Sequence, residues 1–302
     1  MIICCFILIA AMMVSCDKNS EQGDEAAGGS HSEPSSEGLQ EKFPAISGYD
    51  FSDKKAPQLR LKKSLQEISG LTFTEDGRLL CHGDEAAHVY EIDYLTGAEK
   101  KRFSLGRPAV VQDFEGIAVK KDTVFLVTSN GFLFRCREGE NGENVRFQSF
   151  RSGLDVRYDV EGLAYDPATD CLLLACKAYA GSGYENQKAV YAFSLKTYKL
   201  QPRPRFLLPL SSIAENTDKK EFNPSGIERH PITGNFFVIA SNGSSIVELT
   251  PKGEVIGQSD LPKSVHKQPE GIAVASEGTM VIANEGGNKD AMLVVYKSIQ
   301  KP

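Results

Sequence analysis

The stretch Glu67-Ile68-Ser69-Gly70-Leu71 is one of five versions of a single phrase. The others are Asp113-Phe114-Glu115-Gly116-Ile117, Asp159-Val160-Glu161-Gly162-Leu163, Asn223-Pro224-Ser225-Gly226-Ile227 and Gln268-Pro269-Glu270-Gly271-Ile272. Their glycines are spaced by 46, 46, 64 and 45 residues. Each phrase opens an apolar run such as Leu71-Thr72-Phe73, followed by a turn such as Glu75-Asp76-Gly77 or Asp166-Pro167. A second apolar run comes next, as in Cys171-Leu172-Leu173-Leu174, and then a third, as in Val190-Tyr191-Ala192-Phe193. Runs of this kind bounded by turn residues read as strands, and no stretch has a convincing helical period. Four strands in about 45 residues is the repeat of a propeller blade.

Arithmetic sets the number of blades. The region before Gly70, counted from residue 44, holds 26 residues, and the region from Gly271 onward holds 32. Together they make one blade: three strands from the C-terminal piece and one, around Leu59-Arg60-Leu61, from the N-terminal piece. The 64-residue step is too short for two blades and fits one blade with an insertion within Ser211–Phe222. The expectation is an all-β chain forming a single β-propeller of four-stranded blades, five rather than six, closed across the termini.

Composition agrees with a soluble globular domain. The 302 residues are 41% hydrophobic and 25% charged, with a net charge of −6. No clustered basic excess marks a general nucleic-acid binder, and the absence of a second long apolar run excludes a polytopic membrane protein. The charge is uneven. Residues 17–43 carry seven acids and two lysines, whereas residues 44–302 sum to −1.

The first 43 residues read as an address and a tether. Met1 to Ser15 is apolar throughout, too short for the about 20 residues of a spanning helix and of signal-peptide length. Met13-Val14-Ser15-Cys16 resembles a bacterial lipobox, which implies a signal peptide over 1–16 and lipidation of Cys16. A signal peptide cut elsewhere and a short membrane anchor are the alternatives. Residues 17–42 hold five serines, four glycines and no aromatic or β-branched residue. Such a segment cannot bury enough surface to fold. As a coil, 17–43 would reach about 30 Å from a membrane. The propeller then occupies 44–302. The location expected is the bacterial cell envelope, with the periplasmic and surface faces both open.

Four cysteines fall in the propeller: Cys81, Cys136, Cys171 and Cys176. Cys171 and Cys176 lie five apart on one strand and so face opposite ways. Free buried thiols acting as small hydrophobes are expected.

Topology then gathers the polar residues. Each phrase begins an innermost strand, and the antiparallel second strand returns to the same face about 14 residues on. There the sequence places Asp84, Glu85, Asn130, Lys177, Asn242, Asn284 and Glu285. One position before the glycines stand Ser69, Glu115, Glu161, Ser225 and Glu270; three positions before stand Glu67, Asp113, Asp159, Asn223 and Gln268. Six carboxylates (Glu67, Asp113, Glu115, Asp159, Glu161 and Glu270) converging on a channel rim repel unless protonated or neutralised. A divalent cation with oxygen ligands answers this, and Ca²⁺ accepts irregular coordination of six to eight oxygens. These acids are therefore the candidate metal ligands. An acid in this slot can equally lock blades together by accepting backbone N–H bonds.

Other motifs are weaker. Cys81-His82-Gly83-Asp84 with His88 matches no standard metal spacing and reads as a turn with exposed histidines. Glu138-Gly139-Glu140-Asn141-Gly142-Glu143 lacks the alternating ligands of an EF-hand and reads as a hairpin tip. Tyr179-Ala180-Gly181-Ser182-Gly183-Tyr184 reads as a mobile loop beside the rim. Neither G-x-S-x-G, H-E-x-x-H nor a phosphate-binding glycine loop occurs.

The repeated phrase, with Thr128-Ser129-Asn130-Gly131 and Ala240-Ser241-Asn242-Gly243, resembles the SdiA-regulated family of bacterial envelope β-propellers over nearly all of 44–302. That resemblance implies a calcium-regulated or phytase-like propeller and leaves the activity open.

Two functions follow. In the first, a lipid-anchored envelope propeller binds a small ligand or an envelope protein on its channel rim, with Ca²⁺, and does not engage nucleic acid. In the second, the protein is a Ca²⁺-dependent hydrolase of phosphoric or carboxylic esters. There Glu115 or Glu161 would activate water, while Lys177 or Arg229 would meet an anionic group.

Overall fold

The computed structural model describes residues 45–214 and 221–299. The signal peptide over 1–16, lipidated Cys16 and the tether over 17–43 lie outside the described residues.

Five blades form an all-β propeller. Blade one comprises Ile68–Phe73, Leu79–Gly83, His88–Ile92 and Glu99–Leu105, each antiparallel to the one before. Blade two comprises Phe114–Lys120, Thr123–Thr128, Phe132–Arg137 and Phe147–Arg151. In blade three, Val160–Asp166, Cys171–Cys176 and Gln187–Ser194 are followed by a divided outer strand, Lys199–Leu200 and Phe206–Pro209. Blade four comprises Asn223–Arg229, Phe236–Asn242, Ser245–Leu249 and Val255–Asp260. Blade five takes Pro269–Val274, Met280–Asn284 and Met292–Tyr296 from the C-terminal part, and its outermost strand is Gln58–Arg60.

Each blade is covered on both faces by its neighbours, which explains the sequence pattern. The second strands Cys171–Cys176 and Met280–Asn284 are buried at every residue, so they read as continuous apolar runs rather than alternating ones. Leu173 of blade three packs with Val238 of blade four, and Ile239 of four with Ile282 of five. Leu79 of blade one packs with Val281 of blade five, so the apolar layers also join the last blade to the first.

The phrase glycines permit this approach at the centre. A Cβ on Gly116 would stand 2.7 Å from the backbone nitrogen of Leu163, and one on Gly271 would stand 2.9 Å from Leu71 Cγ. Both distances are shorter than carbon contacts allow, so the innermost strands can meet only where a side chain is missing.

Two local features differ from expectation, and a third, at Glu248, had no sign in the sequence. The 64-residue step is not one insertion: it is shared among the Tyr179–Tyr184 loop, the break in the outer strand, and the short helix Leu210–Ala214 with the segment after it. The Glu138–Glu143 stretch does more than cap a hairpin, because Asn144–Val145 after it pairs in parallel with the outer strand of blade one. Glu248, buried completely, accepts hydrogen bonds from the backbone nitrogens of Ala45 and Ile46 at 3.1 and 2.7 Å and from Asn235 Nδ2 at 2.6 Å. It pins the chain that enters the propeller. All four cysteines are free and buried, as expected.

Candidate functional site

In all five phrases the ladder between the first and second strands slips by one residue. The slips fall between Ile68 and Gly70, Phe114 and Gly116, Val160 and Gly162, Pro224 and Gly226, and Pro269 and Gly271. The residues left over are Ser69, Glu115, Glu161, Ser225 and Glu270. A β-bulge leaves its extra residue outside the ladder and re-aims its side chain. Five bulges in equivalent places thus deliver two serines and three carboxylates to the middle of one face. Ser69, Glu115, Glu161 and Glu270 line the mouth of the channel together with the glycines.

The three carboxylates are neutralised in different ways. Glu161 is the most deeply set, 7% exposed, and accepts a hydrogen bond from Lys177 Nζ at 2.7 Å. Burial still raises its pKa, against the lowering effect of that lysine. Burial, and next the charge of Glu161, hold Glu115 well above the usual carboxylate range, while Ser69 Oγ donates to its Oε2 at 2.9 Å. Burial and then Glu161 push Glu270 up to about 7. At neutral pH the mouth therefore holds Glu161 bonded to Lys177, a protonated Glu115, and Glu270 near its midpoint. A protonated carboxyl is a hydrogen-bond donor, so the mouth offers donors and acceptors side by side.

Beside Glu161 and Glu270 the face opens into a pocket of about 280 Å³. Its walls include Lys177, Lys263, Lys267, Asn223, Ser241 and Asn242. Ser225 Oγ, also in this wall, donates to the carbonyl of Pro269 at 2.7 Å and ties blade four to blade five.

The six candidate ligands occupy two kinds of position. Glu115, Glu161 and Glu270 are the bulge residues, whereas Glu67, Asp113 and Asp159 precede the bulge, and the charges of Asp159 and Asp113 help to raise Glu161. Asp113 accepts a hydrogen bond from Ser129 Oγ at 2.5 Å. Asp159 lies 4.0 Å from Lys177 Nζ. Glu67 lies with Asp84 and Glu85 on a groove of blade one. Burial first, and then Glu67, raise Asp84 to about 6, with smaller contributions from Glu285 and Glu85. Among the described residues, no group of three His, Cys, Asp or Glu side chains stands ready to hold a metal ion.

Other placements need correction. Arg229 is at the far end of its strand from the mouth, 3.7 Å from Asp166 Oδ1, because the seven residues Asn223–Arg229 run from one face to the other. Asn284 is buried and its amide meets His266 Nδ1 at 3.3 Å, inside the blade. Asn130 accepts from Thr128 Oγ1 at 2.7 Å within its own turn, whereas Asn242 stays exposed in the pocket wall. Glu285 accepts from Gln268 Nε2 beside the mouth. His82, expected in the open, is completely buried against Gly70, and burial lowers its pKa to about 4. The Tyr179–Tyr184 loop is tied down by Tyr191, whose hydroxyl donates to the carbonyl of Ala180 at 2.8 Å.

Sequence reasoning passed over Ser241, Lys263 and Lys267. The two lysines precede the fifth phrase by a few residues, and no repeat of that spacing in the other blades flags them.

Fold and site together define a five-bladed propeller whose central mouth is built from bulge residues. The SdiA-regulated family matches residues 208–300, in agreement with the resemblance carried by the repeated phrase. No curated protein matches the chain. Among solved structures, the glutaminyl cyclase of Myxococcus xanthus is 14% identical, covers 80% of this chain and 94% of its own, and superposes with a TM-score of 0.51. A luciferin-regenerating enzyme is 10% identical over 81% of this chain and 96% of its own, with a TM-score of 0.49. The PQQ-bound aldose sugar dehydrogenase of Streptomyces coelicolor is 12% identical over 80% and 98%, with a TM-score of 0.47. The likeness to the glutaminyl cyclase, at 14% identity, speaks for the fold alone.

Proposed function

We propose that the protein is an envelope-tethered binding module that takes a small, strongly polar ligand at the mouth of its channel. The observation that carries this reading is the set of five equivalent bulges, which place Ser69, Glu115, Glu161 and Glu270 around the channel mouth and Ser225 in the wall of the polar pocket beside it. A bulge that served blade locking alone would not need to deliver partly desolvated carboxylates to a space open to solvent. The ligand carries an anionic group for Lys263 and Lys267 and hydrogen-bond donors for Glu161 and Glu270.

The tether is part of the reading. Lipidated Cys16 followed by the acidic stretch 17–43 would hold the propeller near a membrane of the bacterial envelope.

Ca²⁺ enters on donor chemistry: Ser69, Glu115, Glu161 and Glu270 bring to the mouth carboxylate and hydroxyl oxygens, ligands a hard cation takes. Within the protein, Lys177 and bound protons already offset part of that charge, so the ion competes with both. A thermal-shift and calorimetric titration with Ca²⁺, Mg²⁺ and Mn²⁺ decides it. A saturable effect weakened by Glu270→Gln supports the ion; no saturable effect removes Ca²⁺ and leaves ligand binding in place.

The main reading is tested by thermal shift over a panel of zwitterionic and hydroxylated small molecules. A hit must weaken in Lys177→Met and Glu270→Gln. Hydrolysis of phosphoric or carboxylic esters is the second reading, favoured by one feature: the Glu270 carboxyl titrates near 7, where a general acid or base works best. Turnover of a phosphomonoester, phosphodiester or lactone, lost in Glu270→Gln with folding intact, would establish it.

A further inference from the structure

The acidic mouth occupies one face of the propeller, and the opposite face carries a concentration of the other sign. Where the far ends of blades two and three meet, a cleft of about 430 Å³ is lined by Lys120, Lys121, Arg135, Arg137, Arg146 and Tyr198. Its volume is within the range of small-molecule sites. Asp122 is the one acid in the lining. Five cations against one acid is a strong local excess in a region, 44–302, whose charges sum to −1.

Part of this charge is committed within the protein. Lys120 pairs with Asp170, and Arg137 Nη2 lies 2.9 Å from Asp122 Oδ2. Among the described residues, Lys121 and Arg146 make no ion pair. Both are exposed, and they come from different strand ends: Lys121 from the turn between the first two strands of blade two, Arg146 from the approach to its outermost strand.

The floor between these cations is apolar. Phe125, Phe147 and Leu195 contribute to it. Tyr198 stands 43% exposed, with its ring braced edge-on against Phe150 at 5.4 Å and Phe193 at 6.2 Å. The Arg135 guanidinium lies 5.4 Å from the Tyr198 ring centre and bonds its hydroxyl, which fixes the arginine at the edge of the cleft. A small inorganic anion would meet the cations and leave the aromatic floor uncovered.

We propose that this cleft is a second binding site, for an organic anion with a phosphate or sulfate ester head on a flat ring. Guanidinium groups match the oxygens of such a head in pairs, and lysine adds a point charge. The ring covers Tyr198 and Phe147, where aromatic contact adds to the area removed from water. This site is independent of the channel mouth and of the reading given for it.

Calorimetry on the full chain with phenyl phosphate, phenyl sulfate, inorganic phosphate and phenol tests the proposal. Phenyl phosphate or phenyl sulfate is expected to bind about tenfold more tightly than inorganic phosphate or phenol. Affinity should fall about tenfold in Lys121→Gln/Arg146→Gln, whose substituted side chains hold no partner in the fold, and should drop with added salt. Glu270→Gln at the opposite face should leave it unchanged. Equal binding of inorganic phosphate, binding untouched by the double substitution, or no saturable binding of either aryl anion would each overturn it.

Discussion

Lys177 Nζ lies 2.7 Å from Glu161 Oε1, and this pair bridges the first and second strands of blade three at the rim. The lysine is the protein's own counter-ion for the most buried of the three mouth carboxylates. Lys177→Met would leave Glu161 without it. Only the glutamate end of this pair is buried, and the lysine is 39% exposed, so solvent screens part of the loss and about 1 kcal/mol is expected at neutral pH. The cost should shrink under acid conditions, where Glu161 takes up a proton. Denaturant unfolding at both pH values measures it, and Lys177→Met/Glu161→Gln should recover most of the loss.

Glu270 should give the opposite sign. Burial raises its carboxyl to about 7 from 4.5, so the folded chain holds that proton more tightly than the unfolded chain. Its contribution to stability is most favourable below about 4.5 and declines as pH rises through 7. Glu270→Gln should therefore match the parent near pH 4.5 and exceed it by about 1–2 kcal/mol near pH 8. A difference that grows toward low pH would contradict the assignment.

A methyl group at the centre should be poorly tolerated. Gly116→Ala places its Cβ 2.7 Å from a backbone nitrogen of the next blade. Backbone cannot step aside as a side-chain tip does, so about 2–4 kcal/mol of destabilisation is expected. Gly142→Ala is the control: its added carbon meets nothing, and only the cost of a positive φ of 80° remains, about 1 kcal/mol. Unfolding curves of the two variants should separate clearly.

The thiols provide a test of packing. Cys81, Cys136, Cys171 and Cys176 are free and buried, and burial raises the Cys81, Cys136 and Cys176 thiols. Iodoacetamide should leave all four unmodified in the native protein and alkylate all four after denaturation, with the same result without reductant. Protection of any pair after denaturation would reveal a disulfide.

The architecture was legible because it is written five times. A single phrase such as Asp113–Ile117 would read as any strand opening, whereas five at near-constant spacing define the blade and its innermost strand. The ring position of Glu115, Glu161 and Glu270 followed from the same repetition. What sequence could not show was the bulge itself, which sets Glu115, Glu161 and Glu270 outside the ladder while Glu67, Asp113 and Asp159 stand two residues before it. Nothing in composition announces a bulge. Arg229 was misplaced for a related reason: its proximity to the fourth phrase in sequence conceals a strand that crosses the whole thickness of the domain. His82 could not be read as buried, because its cover is Gly70, a residue whose missing side chain makes the room. The cation cleft escaped notice because Lys121, Arg135, Arg146 and Tyr198 come from two blades and share no motif.

The bulges carry a consequence for change over time. A residue held in the regular ladder answers to its partners on both sides, and exchanging it disturbs the sheet. The five bulge residues stand outside the ladder, so strand pairing does not fix their identity, and the ties they do make, such as Ser225 to Pro269, are side-chain ones. Blades one and four already bear serine where the others bear glutamate, on the same backbone. The ring is in effect a socket with five exchangeable pins, and new specificities can be written into it one blade at a time while the scaffold stays as it is.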